Sequence, residues 1–93
     1  MTDSSSAPGT ILVVEDDPFL LDQLRWALKG TFEVRAARDA VEGRALIESD
    51  PDLYLFDLRL PPSGQVEEGF GLLSEVKRRK PEATVVMMSG EED

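Results

Sequence analysis

Three short apolar runs in this sequence each end in residues that can do chemistry. Ile11-Leu12-Val13-Val14 runs into Glu15-Asp16-Asp17, Leu53-Tyr54-Leu55-Phe56 runs into Asp57, and Thr84 to Met88 runs into Ser89-Gly90. If the first two runs lie side by side, Asp16 and Asp57 converge on one pocket with Glu15 nearby. Carboxylates held that close repel one another and raise each other's pKa values. A bound cation removes the conflict. The chain has no His and no Cys, and oxygen-only ligands favour magnesium or calcium over zinc. Magnesium fits better, because it keeps several waters and is often shared with a phosphate. Asp17 has a plainer reading: followed by Pro18, it is a helix N-cap with proline at the first helical position.

The elements that must position these residues are legible from periodicity. Each apolar run is short, rich in β-branched or aromatic residues, and suited to a strand buried on both faces. Leu20, Leu21, Leu24 and Leu28 recur at helical spacing, and Gly30 stops that helix. Phe32 to Ala36 predicts a second strand. Asp39-x-x-Glu42 opens a second helix as a capping box with aspartate in the Ser/Thr role. Ala40, Gly43, Leu46 and Ile47 give that helix a small apolar face, and Asp50-Pro51-Asp52 breaks it. After a loop holding Pro61, Pro62, Ser63 and Gly64, Leu72, Leu73 and Val76 mark a third helix. It closes on Lys77-Arg78-Arg79-Lys80, cations suited to the negative end of a helix dipole. This basic run reads first as a solvated helix end and second as a partner surface.

The order is βαβαβαβ with short connections. Right-handed crossovers make it a parallel sheet with helices on both faces. In such sheets ligands gather at the carboxyl ends of the strands, near a switch point in strand order. Glu15, Asp16, Asp57 and Ser89 all fall at carboxyl ends.

Ninety-three residues bound the protein to one small domain, and 41% apolar content argues against wholesale disorder. Absent cysteine leaves no disulfide scaffold, and no run reaches transmembrane length. A signal pattern is missing, so the reading is cytoplasmic, away from membranes. A net charge of −9 repels nucleic acid and speaks against direct binding of it by this stretch. Met1 to Thr10, small, polar and rich in Ser, reads as a disordered leader ahead of one domain over residues 11–93.

The three motifs, in this order and at these separations, resemble bacterial response-regulator receiver domains over residues 11–93. Ile11 to Pro18 looks like their opening, Leu53 to Pro61 like their phosphoacceptor strand and loop, and Val85 to Gly90 like their fourth strand with its switch hydroxyl. The resemblance implies a flavodoxin-like (CheY-like) α/β fold with parallel strand order 2-1-3-4-5. It implies Asp57 as phosphoacceptor and Asp16 as a direct magnesium ligand. Glu15 would act through water or as an outer ligand, and the Arg59 backbone carbonyl would be a further ligand. Ser89 would donate its hydroxyl to a phosphoryl oxygen. A carboxylate can be a nucleophile towards phosphorus, giving an acyl phosphate, so the residues suit the role. The implied partners are a sensor histidine kinase and an output domain or protein beyond residue 93. Such a domain assists its own phosphorylation and is a signalling element rather than an enzyme.

Two departures stand out. Receivers place a glycine eight residues after the phosphoacceptor, where this chain has Gln65; Glu68-Gly69-Phe70 looks like the equivalent, displaced by about four residues. That loop, with Leu60-Pro61-Pro62 and Gln23-Leu24-Arg25-Trp26, resembles regulators of the PEP-CTERM/exopolysaccharide type, which are enhancer-binding transcription factors. The sequence also stops where a receiver continues with a helix, a strand ending in lysine and a last helix. It therefore reads as an incomplete receiver, with strand four at an edge and self-association expected there. The rival to signalling is a phosphorylation-independent interaction module. A haloacid-dehalogenase-type phosphatase wants an acid two residues after the nucleophile, where Arg59 stands. A dinucleotide-binding domain wants a glycine-rich first turn, where the acids stand. Trp26 is open to two readings, an exposed helix residue or a partner contact.

Overall fold

The computed structural model describes residues 9–88. Four strands, β1 (Gly9–Val14), β2 (Phe32–Ala37), β3 (Leu53–Asp57) and β4 (Val85–Met88), alternate with three helices, α1 (Pro18–Leu28), α2 (Ala40–Ile47) and α3 (Val66–Arg79). All pairings are parallel, and the sheet order is β2-β1-β3-β4. This is the expected fold and order over the strands described. Among the described residues β4 pairs with β3 alone, and Val86 is 48% exposed.

Alternation along β1 explains why its apolar run is continuous. Leu12 and Val14 point to one face, where they meet Tyr54 and Phe56 of β3, Ala40 and Ile47 of α2, and Leu72 and Val76 of α3. Ile11 and Val13 point to the other, where Leu21 of α1 is buried and Leu24, Leu28, Leu53 and Leu55 are half-buried. A central strand of a parallel sheet with helices on both faces has no polar side to show. The Tyr54 and Phe56 rings pack edge to face, 5.8 Å apart. Of the leucines expected to line α1, Leu20 stands outside this core and the other three enter it.

Helix ends follow the local chemistry. The Asp17 side chain accepts from the N–H of Phe19 at 3.0 Å, with Pro18 at the first turn. Asp39 Oδ1 accepts from the Glu42 N–H at 2.8 Å, one half of the expected box. The return bond differs by one residue: Glu42 Oε1 accepts from the Arg38 N–H at 2.8 Å, so the glutamate also ties down the end of β2. Gly30, at φ +90, takes the left-handed turn after α1 that a side chain would disfavour. The basic run is largely committed to acids nearby. Arg79 pairs with Glu48 and Glu75, Arg78 with Glu75, and Lys80 with Asp50. The pairs to Glu75 lie within α3, while those to Glu48 and Asp50 tie its end to the end of α2; together they favour the helix-end reading.

One boundary needs correction. Gly9 and Thr10, placed in the leader from composition, extend β1. Thr10 N–H donates to Asp52 Oδ2 at 2.8 Å, and Asp52 N–H donates to the Thr10 carbonyl at 2.9 Å. The aspartate before β3 thus continues the ladder that composition hides. Residues 1–8 lie outside the described residues. No helix among the described residues is long and apolar enough to cross a membrane.

Candidate functional site

The carboxyl ends of β1 and β3 are neighbours because Val14 pairs with Phe56. The next residues out, Glu15 and Asp16 on one side and Asp57 on the other, therefore meet at the same edge. One carboxylate oxygen from each of these three lies within 4.8 Å of the other two. Glu15 and Asp57 are buried, while Asp16 is exposed. The site thus has two acids in its floor and one at its mouth.

Backbone groups hold the floor. Glu15 N–H donates to the Ala37 carbonyl at 3.0 Å, tying the end of β1 to the end of β2. Glu15 Oε2 accepts from the Asp17 N–H at 3.0 Å. Asp57 Oδ1 accepts from the Arg59 N–H at 3.3 Å. Leu58 N–H donates to the Met88 carbonyl at 2.9 Å, so the last residue of β4 anchors the loop that follows Asp57. The structure brings Glu15, Asp16 and Asp57 together as expected and places Arg59 beside Asp57. Ser89, the expected switch hydroxyl, lies outside the described residues, one position past Met88. Asp17 is spent on its helix cap, as its plainer reading had it.

The charges in this floor are in conflict. Burial pushes the Glu15 carboxyl up from 4.5 to about 7; the Asp17 N–H opposes this, and the charges of Asp57 and Asp16 add to it. Asp57 is also raised, first by burial, with the Arg59 N–H opposing and Asp16 adding. Such a set gains from a cation. The donors are hard oxygens, a chemistry that fits magnesium or calcium. An observable consequence follows for the metal-free protein. Glu15 binds a proton more tightly folded than unfolded, so its contribution is fully present below about 4.5 and is lost as pH rises through about 7. Between pH 5.5 and 7.5 metal-free stability should fall by about 2 kcal/mol, about 10 °C in melting temperature for a domain of this size. Asp52, whose pKa is lowered by the Thr10 hydrogen bonds from 3.8, acts below this window and does not blur it. Glu15→Gln should flatten the profile. A metal-free melt that is level from pH 5.5 to 7.5 would show that the buried acid is not in conflict.

Beside Asp16 opens a cavity of about 390 Å³ walled by Asp16, Arg38, Asp39, Glu42 and Pro61. Asp39 and Glu42 are legible in the sequence as a cap, and Arg38 is the wall residue that patterning does not pick out. The signal was available: Arg38 follows β2, the other neighbour of β1, so it ends at the same sheet edge. A further cavity, about 320 Å³, lies between α1 and β2 and is lined by Trp26 and Phe32 among others; no carboxylate of the cluster lines it. Trp26 is exposed there, with Lys29 Nζ 4.4 Å from its ring centre.

The first turns of α3 also reach the chain that follows Asp57. Gly69 packs its backbone directly on the chain after β3, its N–H donating to the Leu58 carbonyl at 3.0 Å. Gly69 belongs to the Glu68-Gly69-Phe70 stretch that resembles the displaced receiver glycine, and a Cβ there would fall within 2.7 Å of the Asp57 carbonyl oxygen.

The chain belongs to the response regulator receiver domain family, whose match runs over residues 11–93. It is 37% identical over 90 residues to the hydrogenase transcriptional regulatory protein HoxA of Cupriavidus necator, covering 96% of this chain and 18% of that protein. It is 30% identical over 86 residues to the photosynthetic apparatus regulatory protein RegA of Rhodovulum sulfidophilum, covering 89% and 44%. Among solved structures it is similar to a CheY-like receiver domain protein from Methanospirillum hungatei, with a TM-score of 0.80 and 34% identity over 94% of this chain and 68% of that one. The chain spans about a fifth of the first two curated relatives. It is a receiver domain of phosphorylation-based two-component signalling, a signalling domain rather than a catalyst in its own right.

Proposed function

We propose that Asp57 accepts a phosphoryl group from a sensor histidine kinase and that this switches an output domain or partner protein. The convergence of Glu15, Asp16 and Asp57 within 4.8 Å at the edge of a receiver fold carries the reading. An Asp57 oxygen attacks phosphorus, the bond from phosphorus to the donor breaks, and the donor's leaving group departs with that electron pair. Asp16, Asp57 and the Arg59 backbone carbonyl would hold magnesium, with Glu15 acting through water or as an outer ligand. Bound there, the ion supplies positive charge to the phosphoryl oxygens. Ser89 would donate its hydroxyl to one of those oxygens.

The similarity to HoxA, a transcriptional regulatory protein, favours an output in transcription. The Leu60-Pro61-Pro62 loop and the late Glu68-Gly69 support the narrower kinship with exopolysaccharide-type enhancer-binding regulators. The implied setting is the cytoplasm, where kinase and transcription meet.

Incubation with acetyl phosphate and magnesium, followed by mass spectrometry, tests the reading. One phosphoryl group should appear, map to Asp57, and vanish when magnesium is chelated. An unlabelled protein would favour an interaction module that works without phosphorylation.

A further inference from the structure

The carboxylate cluster poses a problem for any phosphodonor. The donor is an anion, and it must approach three acids. Magnesium offsets part of that charge, but the approach path also matters, since unlike charge on the rim of a site raises the rate of encounter. The cavity beside Asp16 lies on that rim. At about 390 Å³ it falls within the range of small-molecule sites, about 300–1,000 Å³.

Its lining holds three acids and one cation. Two of the acids are committed to backbone: Asp39 Oδ1 accepts from the Glu42 N–H, and Glu42 Oε1 accepts from the Arg38 N–H. Arg38 is held at its backbone and open at its head. Its N–H is fixed by Glu42, the Ala37 carbonyl before it is fixed by Glu15 N–H, and the Ala40 N–H after it donates to the Pro61 carbonyl at 3.2 Å. Its guanidinium makes no ion pair within 4.0 Å among the described residues, although acids share the cavity. The exposed arginine is thus carried on a backbone tied to the cluster at one end and to the loop after Asp57 at the other. A guanidinium offers a planar fork of donors matched to phosphate and carboxylate oxygens.

We infer that Arg38 is the residue that receives small anionic phosphodonors, taking an acyl phosphate in the cavity beside Asp16 as its phosphoryl group meets Asp57. The inference rests on Asp57 being the acceptor. Arg38 contributes to recruiting the donor and leaves the transfer itself to the cluster.

The experiment compares wild type, Arg38→Ala, Arg38→Lys and Arg25→Ala at saturating magnesium. Arg25 lines the other cavity and serves as a control for net charge. Labelling by acetyl phosphate is followed against donor concentration and ionic strength, and repeated with phosphoramidate, which carries less negative charge near neutral pH. The second-order labelling rate of Arg38→Ala should fall about two- to fivefold, the range of an exposed charge contact. Arg38→Lys should keep much of the rate. Salt should slow wild type more than Arg38→Ala, and the loss should be smaller with phosphoramidate. Thermal melts should be unchanged, because the Arg38 N–H bond to Glu42 is a backbone bond. A wild-type rate in Arg38→Ala, or an equal loss in Arg25→Ala, overturns the role of Arg38 and leaves Asp57 as acceptor. A wild-type protein that takes no label overturns both.

Discussion

Asp57→Asn should carry no detectable label from any phosphodonor, while keeping its fold. An amide has nearly the shape of the carboxylate it replaces but lacks the anionic oxygen that attacks phosphorus. The Arg59 N–H now donates to Asp57 Oδ1 at 3.3 Å, and the amide oxygen can accept the same bond. The variant also removes a buried charge that burial and Asp16 both disfavour. The metal-free melting temperature at neutral pH should therefore be no lower than that of wild type. The two readouts together separate chemistry from folding: label lost with the melt maintained. Full labelling of Asp57→Asn at one other residue would move the acceptor elsewhere, with Asp16, the exposed member of the cluster, the first place to look. Loss of label together with a collapsed melt would show instead that Asp57 is needed for the fold.

The part of the fold that patterning could show was the part whose environment is uniform. The Ile11 to Val14 and Leu53 to Phe56 runs are apolar throughout because helices cover both sheet faces, so their length and their acidic ends stand out. The convergence of Glu15, Asp16 and Asp57 then needed only that β1 and β3 be neighbours, the order that the resemblance to receiver domains implied and that the sheet has. What escaped were features set by single long-range bonds. Gly9 and Thr10 look like leader residues until Asp52, 42 positions away, is seen to hold Thr10. The second half of the Asp39-Glu42 box goes to Arg38, because that N–H lies in the turn leaving β2. The start of α3 at Val66 is masked by Gly69 and Gly71, which a propensity reading places in a loop. Those glycines are there for different reasons, and the difference is testable.

Gly69→Ala should be the most damaging small substitution in the domain, and Gly71→Ala, one half-turn later on the same helix, should be harmless or helpful. A methyl carbon on Gly69 would sit 2.7 Å from the Asp57 carbonyl oxygen and from Leu58 Cα, and nearer still to the Leu58 carbonyl oxygen. All three are backbone atoms, so no rotamer change relieves the clash. Either α3 lifts from the sheet or the chain after Asp57 moves. Lifting the helix uncovers Leu72 and Val76, both fully buried against β1 and β3. Overpacking of this kind costs typically about 1–3 kcal/mol and occasionally more. The upper end is expected here, about 3 kcal/mol, a large share of a small domain's total. Moving the loop instead shifts Arg59 and the Asp57 backbone, so phosphoryl acceptance should fall along with stability. By contrast, a methyl carbon on Gly71 meets only an Arg44 side-chain nitrogen, at 3.9 Å. Alanine there should gain up to about 1 kcal/mol from helix propensity. Gly43→Ala lies between them, since its new carbon would touch Val14 and Leu72 side chains at 3.0–3.4 Å, atoms that can shift. Denaturant melts should rank the proteins Gly71→Ala, wild type, Gly43→Ala, Gly69→Ala from most to least stable. If Gly69→Ala melts with wild type, the contact between α3 and the phosphoacceptor loop is looser than this packing requires, and the added loop residues do not set that glycine's position.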